Sequence, residues 1–208
     1  MHERISRIIA MEWEMFHSTQ NIGGPASCQN DRPQFEIMRK SQFLVWTDAI
    51  LQSYEQDLLQ AIENKQNLVS FKYAYMMEST SPAEFYAIQA QLPAVSEEKK
   101  RLIDTLSRQT VLWAEAFASK YPLLARLGRP IHSYEDGPYG VSMETYSRGE
   151  WMTYSEATLS LLAAHYAQLA AEGRSVHEET LTQELALSGW GTPEQAERRL
   201  AEHAQKRM

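Results

Sequence analysis

The chain has 208 residues, 43% of them hydrophobic and 23% charged, with 20 Lys and Arg against 27 Asp and Glu for a formal net charge of -7. That balance belongs to a globular protein long enough for one sizeable core, and its acidic excess speaks against binding a phosphate backbone, so no nucleic acid is expected as partner. No run of about 18 apolar residues is present to span a membrane, the stretch MHERISRIIAMEWEMF carries acids where a signal peptide is apolar, and the lone Cys28 makes no internal disulfide, so a cytoplasmic, reducing location is expected.

Proline and glycine number 8 and 9 and cluster. Between the clusters, apolar residues recur every three or four positions, the period of amphipathic helices. The first predicted helix runs from His2 to His17, with Ile5, Ile8, Ile9, Trp13 and Phe16 as its stripe. A non-helical stretch follows from Ser18 to Arg32, broken by Gly23-Gly24-Pro25. The second helix starts near Pro33 and reaches toward Ile62, with Phe35, Phe43, Trp46, Ile50 and Tyr54 on one side. The third covers Asn67 to Glu78. Ser81, Pro82 and Glu84 read as the cap, first position and capping box of a fourth. The fifth begins at Ser96 and stops at Pro122. Gly128 to Gly149 is the second non-helical stretch, already helical at its end. The sixth helix starts near Thr153, with Glu156 three residues on, and ends at Gly173. Ser175 with Glu178 opens the seventh, and Thr192, Pro193 and Gln195 open the last. The expected architecture is all-α: a single compact multi-helix bundle with two long ordered loops. Residues 1–190 form the helical domain, and 191–208 a charged C-terminal helix that is part of it or a solvated tail.

The sharpest signal is positional. At about 100° per residue, Glu12 falls inside the first helix's apolar stripe, whereas Glu14 faces solvent. On the second helix, Arg39 lies four residues from both Phe35 and Phe43. Consecutive helices tend to pack together, and an isolated buried charge costs several kcal/mol, roughly the stability of a domain. Glu12 and Arg39 are therefore expected to pair, since the planar guanidinium matches a carboxylate. The pair is either a structural ion pair alone or part of a polar pocket. Lys72, among Leu68, Val69 and Met76, poses the same question more weakly, because a lysine stem is readily buried while its amine reaches water.

Other constellations are looser. Cys28 sits in a loop shortly before a helix start, where a thiolate is favoured, and His132 with Asp136 would complete a Cys–His–acid set. Glu14-x-x-His17 is half of a helical di-iron motif, but no second Glu-x-x-His occurs. The spacing names no cofactor and assigns no metal ligand, although a mononuclear site from His132, Glu135 or Asp136 stays open. Glu144, Tyr146, Arg148 and Glu150 alternate before the sixth helix, either as capping and surface charge or as a source of an acid–base group. None of the common phosphate-loop, zincin or nucleophile-elbow patterns is present.

The runs EWEMFHSTQNIGGPASCQNDRPQFEIMRKSQFLVW, KYAYMMEST and METYSRGEWMTYSEATL resemble the bacterial family known as domain of unknown function 4125, over nearly the whole chain to about residue 170. The motif-bearing positions are Glu12, Trp13, Glu14, Asn21, Gly23, Gly24, Cys28, Arg39, Trp46, Tyr73, Glu144, Tyr146 and Arg148. The resemblance implies a soluble bacterial protein. Some members carry a nucleotidyltransferase-like domain that this chain lacks, which hints at small-molecule chemistry. No catalytic residue carries over.

Two functions follow as expectations. In the first, the chain is an enzyme or enzyme-like binder of a small polar or anionic molecule. Arg39 holds an anionic group, Glu12 or Glu144 acts as acid or base, and Cys28 is a further catalytic candidate. Trp13, Asn21, Trp46, Lys72, Tyr73, Tyr146 and Arg148 shape the pocket. In the second, the chain is a helical interaction module, with a protein partner or a homodimer. A polar pocket containing Glu12 and Arg39 favours the first; a solid core with a broad apolar patch favours the second.

Overall fold

The computed structural model describes residues 1–20, 27–137 and 140–205. Among these, eleven α-helices follow in order: α1 (His2–His17), α2 (Arg32–Leu44), α3 (Asp48–Glu63), α4 (Leu68–Thr80), α5 (Pro82–Ile88), α6 (Glu97–Lys120), α7 (Pro122–Ala125), α8 (Met143–Trp151), α9 (Glu156–Ala171), α10 (Val176–Leu187) and α11 (Pro193–Gln205). No strand occurs among the described residues, and Gly137 and Gly140 form an isolated antiparallel bridge. None of the described helices is long and apolar enough to cross a membrane. The expected all-α bundle is the fold.

Local chemistry sets most helix starts. Side-chain oxygens of Asp31, Thr47, Asn67, Ser96, Ser142, Ser155 and Ser175 each accept from the backbone N–H three residues on, satisfying donors that a helix start leaves free. Thr192 and Gln195 cap each other reciprocally at α11. Three expectations need correction. The long second helix is two: Val45 and Trp46 turn back onto Gln42 and Phe43, and Thr47 caps α3. The apolar period survives the break because Phe43, Trp46 and Ile50 are all buried. Ser81 does not cap α5 with its side chain; its backbone N–H instead closes α4 on Met77. The sixth predicted helix begins at Glu156 behind Ser155, while Thr153 donates to the Glu150 carbonyl.

Helix α1 packs against α2, α3 and α4; α4 packs closely on α8; and α6 packs on α8, α9 and α10. Ile8, Phe43, Leu51, Leu58, Ile103, Leu106, Leu159 and Leu162 sit at the centre. The C-terminal helix α11 rests on α7. Pro193 and Ala196 are buried, and Glu197 takes the free N–H groups of Leu123 and Leu124 at 2.9 and 2.7 Å.

His177 on α10 meets the ring of Phe117 edge-on at 5.4 Å, and burial lowers its pKa from the ordinary 6.5 to about 4. Between those values the unfolded chain binds the proton and the folded one refuses it. Stability is therefore complete above pH 6.5 and falls as the pH drops through that window, by about 3 kcal/mol from this residue. His177→Gln, measured by urea unfolding at pH 7 and pH 4, is expected to lose correspondingly less stability on acidification than the parent. Equal losses in the two proteins would show that His177 is not responsible.

Candidate functional site

Four ions from four helices meet at the floor of one cavity. Glu12 comes from α1, Arg39 from α2, Lys72 from α4 and Glu150 from α8. Arg39 grips Glu12 with both edges of its fork, Nε to Oε2 at 2.7 Å and Nη2 to Oε1 at 2.5 Å. Its Nη1 donates to Glu150 Oε1 at 3.0 Å and to Gln42 at 2.7 Å. Lys72 Nζ donates to the other Glu150 oxygen at 2.5 Å. The hydroxyls of Tyr54 and Tyr154 close the network, each donating at 2.6 Å, to Glu12 and Glu150 respectively. Side-chain exposure across the four ions runs from 4% to 11%, so two acids and two bases are buried together with no net charge.

Burial alone raises the Glu150 pKa, but the Arg39 and Lys72 charges outweigh it and hold the carboxyl far below the usual range. Burial likewise works to lower Lys72, and Glu150 overrides it and raises the ammonium pKa. Burial pushes both Tyr54 and Tyr154 well above the ordinary phenol value, helped by Glu12 and Glu150 respectively. Glu150 and Lys72 thus stay charged at neutral pH, and both phenols stay protonated as donors. Such a floor is a fixed electrostatic surface, preorganised by direct hydrogen bonds between side chains.

The cavity above has a volume of about 460 Å³. Phe16 and Phe35, stacked at 5.2 Å, line it with Met38, Leu68 and Val69, while Asp31, Gln34 and Arg129 add polar atoms. A mostly apolar wall with a few placed polar groups is the usual composition of a small-molecule site.

The expected residues divide. Glu12, Arg39, Lys72, Tyr73 and Tyr146 all line this cavity. Trp13 lies behind the wall, packed on Phe16, His17 and Phe35. Trp46 lies beneath the floor, edge-on to Tyr54 and Tyr154, with its buried Nε1 lacking a hydrogen-bond partner among the described residues. Neither tryptophan forms the cavity surface. Asn21 and the side chain of Cys28 lie outside the described residues. Glu144 and Arg148 open instead onto a separate depression with Tyr75, Glu78 and Met152. There Glu144 accepts from the Ser133 N–H at 2.8 Å, and Arg148 pairs with Asp104 at 2.7 Å.

That division has a helical cause. The alternating set Glu144, Tyr146, Arg148 and Glu150 lies on α8 rather than in a loop. At 100° per residue, positions four apart share a face and positions two apart oppose each other. Tyr146 and Glu150 therefore turn to the cavity, and Glu144 and Arg148 turn away. Sequence reasoning weighed Glu150 only within that alternating set and chose Glu144 from it, and it did not single out Gln42, Tyr54 or Tyr154 for the site. The Ser142 cap at the start of α8 was the signal for Glu150. Gln42 and Tyr54 sit where the apolar pattern does not set them apart.

The looser constellations come to less. Asp136 caps α8, accepting from Ser142 N–H at 2.6 Å and from the Thr145 hydroxyl at 2.5 Å. His132 stacks on Tyr134, and Glu14 is exposed. Among the described residues, no three His, Cys, Asp or Glu side chains are grouped to hold a metal ion.

No curated protein and no solved structure matches the chain. Residues 2–198 match the family described as Protein of unknown function (DUF4125). All four ions of the cavity floor fall within that span, and the chain belongs to this family.

Proposed function

We propose that the cavity between α1, α2, α4 and α8 is the binding site of a small molecule with an apolar body and a polar head, and that the protein is an enzyme or enzyme-like binder acting on it. The observation that carries this is a buried, mutually hydrogen-bonded quartet, Glu12–Arg39–Glu150–Lys72, forming the floor of a cavity of about 460 Å³. Stability alone does not call for such a floor. Apolar residues of matching volume often serve as well as buried ion pairs or better. Charges held rigidly beside ligand-sized space are what recognition of a polar group or stabilisation of a transition state requires. The arrangement also revises the role expected for Arg39. Its fork is occupied by Glu12, so it orients the acid rather than presenting itself to a ligand.

Val69 lines the wall from the first turn of α4 and is half-buried. Val69→Trp is expected to fill the cavity and leave the fold intact. Ligand-observed NMR against a panel of small aromatic and aliphatic acids, amines and amides then compares it with the parent. The expected result is saturable binding by the parent and loss of at least about tenfold in affinity in the variant, the scale of about 1.4 kcal/mol of lost contact. Binding of equal strength in both proteins would place the ligand site elsewhere.

A further inference from the structure

Tyr146 on α8 carries two cations against its ring. Lys72 Nζ is 3.5 Å from the ring centre, and Arg129 Cζ is 4.6 Å from it. The two charges are thus at most 8.1 Å apart, the sum of those distances. All three residues line the cavity. The cations still have donors to offer. An ammonium has three N–H groups, and Lys72 gives one to Glu150. A guanidinium has five, and Arg129 gives one to the Val141 carbonyl at 3.2 Å. Arg129 has no carboxylate partner among the described residues. The third acid of the lining, Asp31, belongs to the start of α2 and accepts from Gln34 N–H. It is not on the α4–α8 wall that holds Lys72 and Tyr146.

We infer that Lys72 and Arg129 form an anion clasp around Tyr146, and that the ligand of the cavity is a small organic anion, a carboxylate or phosphate head on an apolar body. This rests on the cavity being the ligand site. One head group at the edge of the Tyr146 ring can reach both cations, since they are no farther apart than that bound and each charge-assisted hydrogen bond covers roughly 2.7–2.9 Å. Arg129 supplies a planar fork that is always charged. Lys72 is held in its ammonium form by Glu150 and lines the same cavity. The stacked Phe16 and Phe35 rings and Met38 receive the apolar body. Selection arises from the division of labour: the four charges of the quartet balance one another, and Arg129 adds a cation without a carboxylate partner among the described residues.

The test is isothermal titration of the full chain at pH 7 with 3-phenylpropionate, phenyl phosphate and uncharged 3-phenylpropanamide. At least one anion is expected to bind about tenfold or more tightly than the amide, the scale of one hydrogen bond to a charged group. Which anion prevails identifies the head group. Arg129→Gln, an exposed position outside the quartet, is expected to remove about that factor for the anion and leave the amide unchanged. Should the amide bind as tightly as both anions, or Arg129→Gln leave anion affinity intact, the clasp is wrong. Loss of amide binding in Val69→Trp would then show that the cavity reading survives. Absence of binding by all three probes overturns the clasp, and the wider panel on Val69→Trp decides separately whether the cavity is a site at all.

Discussion

Arg39→Met is expected to lower the unfolding free energy by about 3–5 kcal/mol, the scale of removing one partner from a buried ion pair. The reason lies in what stays behind. Of the network's donors, Glu12 keeps the Tyr54 hydroxyl, whereas Glu150 keeps Lys72, Tyr154 and Gln42. The loss therefore concentrates on Glu12, a carboxylate with 4% side-chain exposure and no remaining cation beside it. The double variant Glu12→Gln with Arg39→Met removes that orphan charge and is expected to recover at least half of the loss, since neutral side chains of similar volume are tolerated where ion pairs were buried. Urea midpoints of the three proteins and the parent measure both effects. A single-variant loss below about 1 kcal/mol, the range of exposed pairs, would mean that Arg39 is solvated in solution and that the quartet is not a buried unit.

Gly149→Leu is expected to cost about 2–3 kcal/mol and to weaken any ligand held in the cavity. Helices α4 and α8 cross at this glycine. A Cβ there would stand 2.6 Å from Met76 Cγ and 3.0 Å from the Lys72 carbonyl oxygen. Met76 is buried and its Cγ lies close to its own backbone, and the carbonyl belongs to the backbone of α4, so an added side chain must push the helices apart. Glycine in a helix interior itself costs up to about 1 kcal/mol against alanine. Gly149→Ala therefore regains part of what the clash removes, and its net loss is expected to be smaller than that of Gly149→Leu. The site feels the change because the residues at the crossing carry its ions: Lys72 owns the obstructing carbonyl, and Glu150 follows the glycine. Separation of α4 from α8 lengthens the Lys72–Glu150 contact. Denaturant unfolding of the alanine and leucine variants checks the order, and a leucine variant as stable as the parent would show that the crossing is looser than described.

Much of this was written locally. Caps and apolar periods act within a few residues, so the all-α class, the α1 boundaries and the starts of α6 and α10 were legible from Ser96, Ser175 and the stripes between them. The placement of Glu12 and Arg39 at the centres of adjacent stripes was legible for the same reason, since a charge there must find a partner on the neighbouring helix. Where two helices share one apolar period across a tight turn, as at Trp46, periodicity could not reveal the break.

What the sequence by itself determined was a set of amphipathic helices and the demand that two buried ions meet. Only the tertiary structure decided who completes their company. Glu150 lies 111 residues from Arg39 and 78 from Lys72, and whether it faces them depends on α8 being a helix, on its rotation, and on the close crossing at Gly149. The same rotation sent Glu144 and Arg148 to another face and brought Tyr146 between Lys72 and Arg129. Periodicity reports which way a side chain points from its own helix axis. What it meets is set by the register and crossing of helices far apart in the chain, which no local pattern encodes.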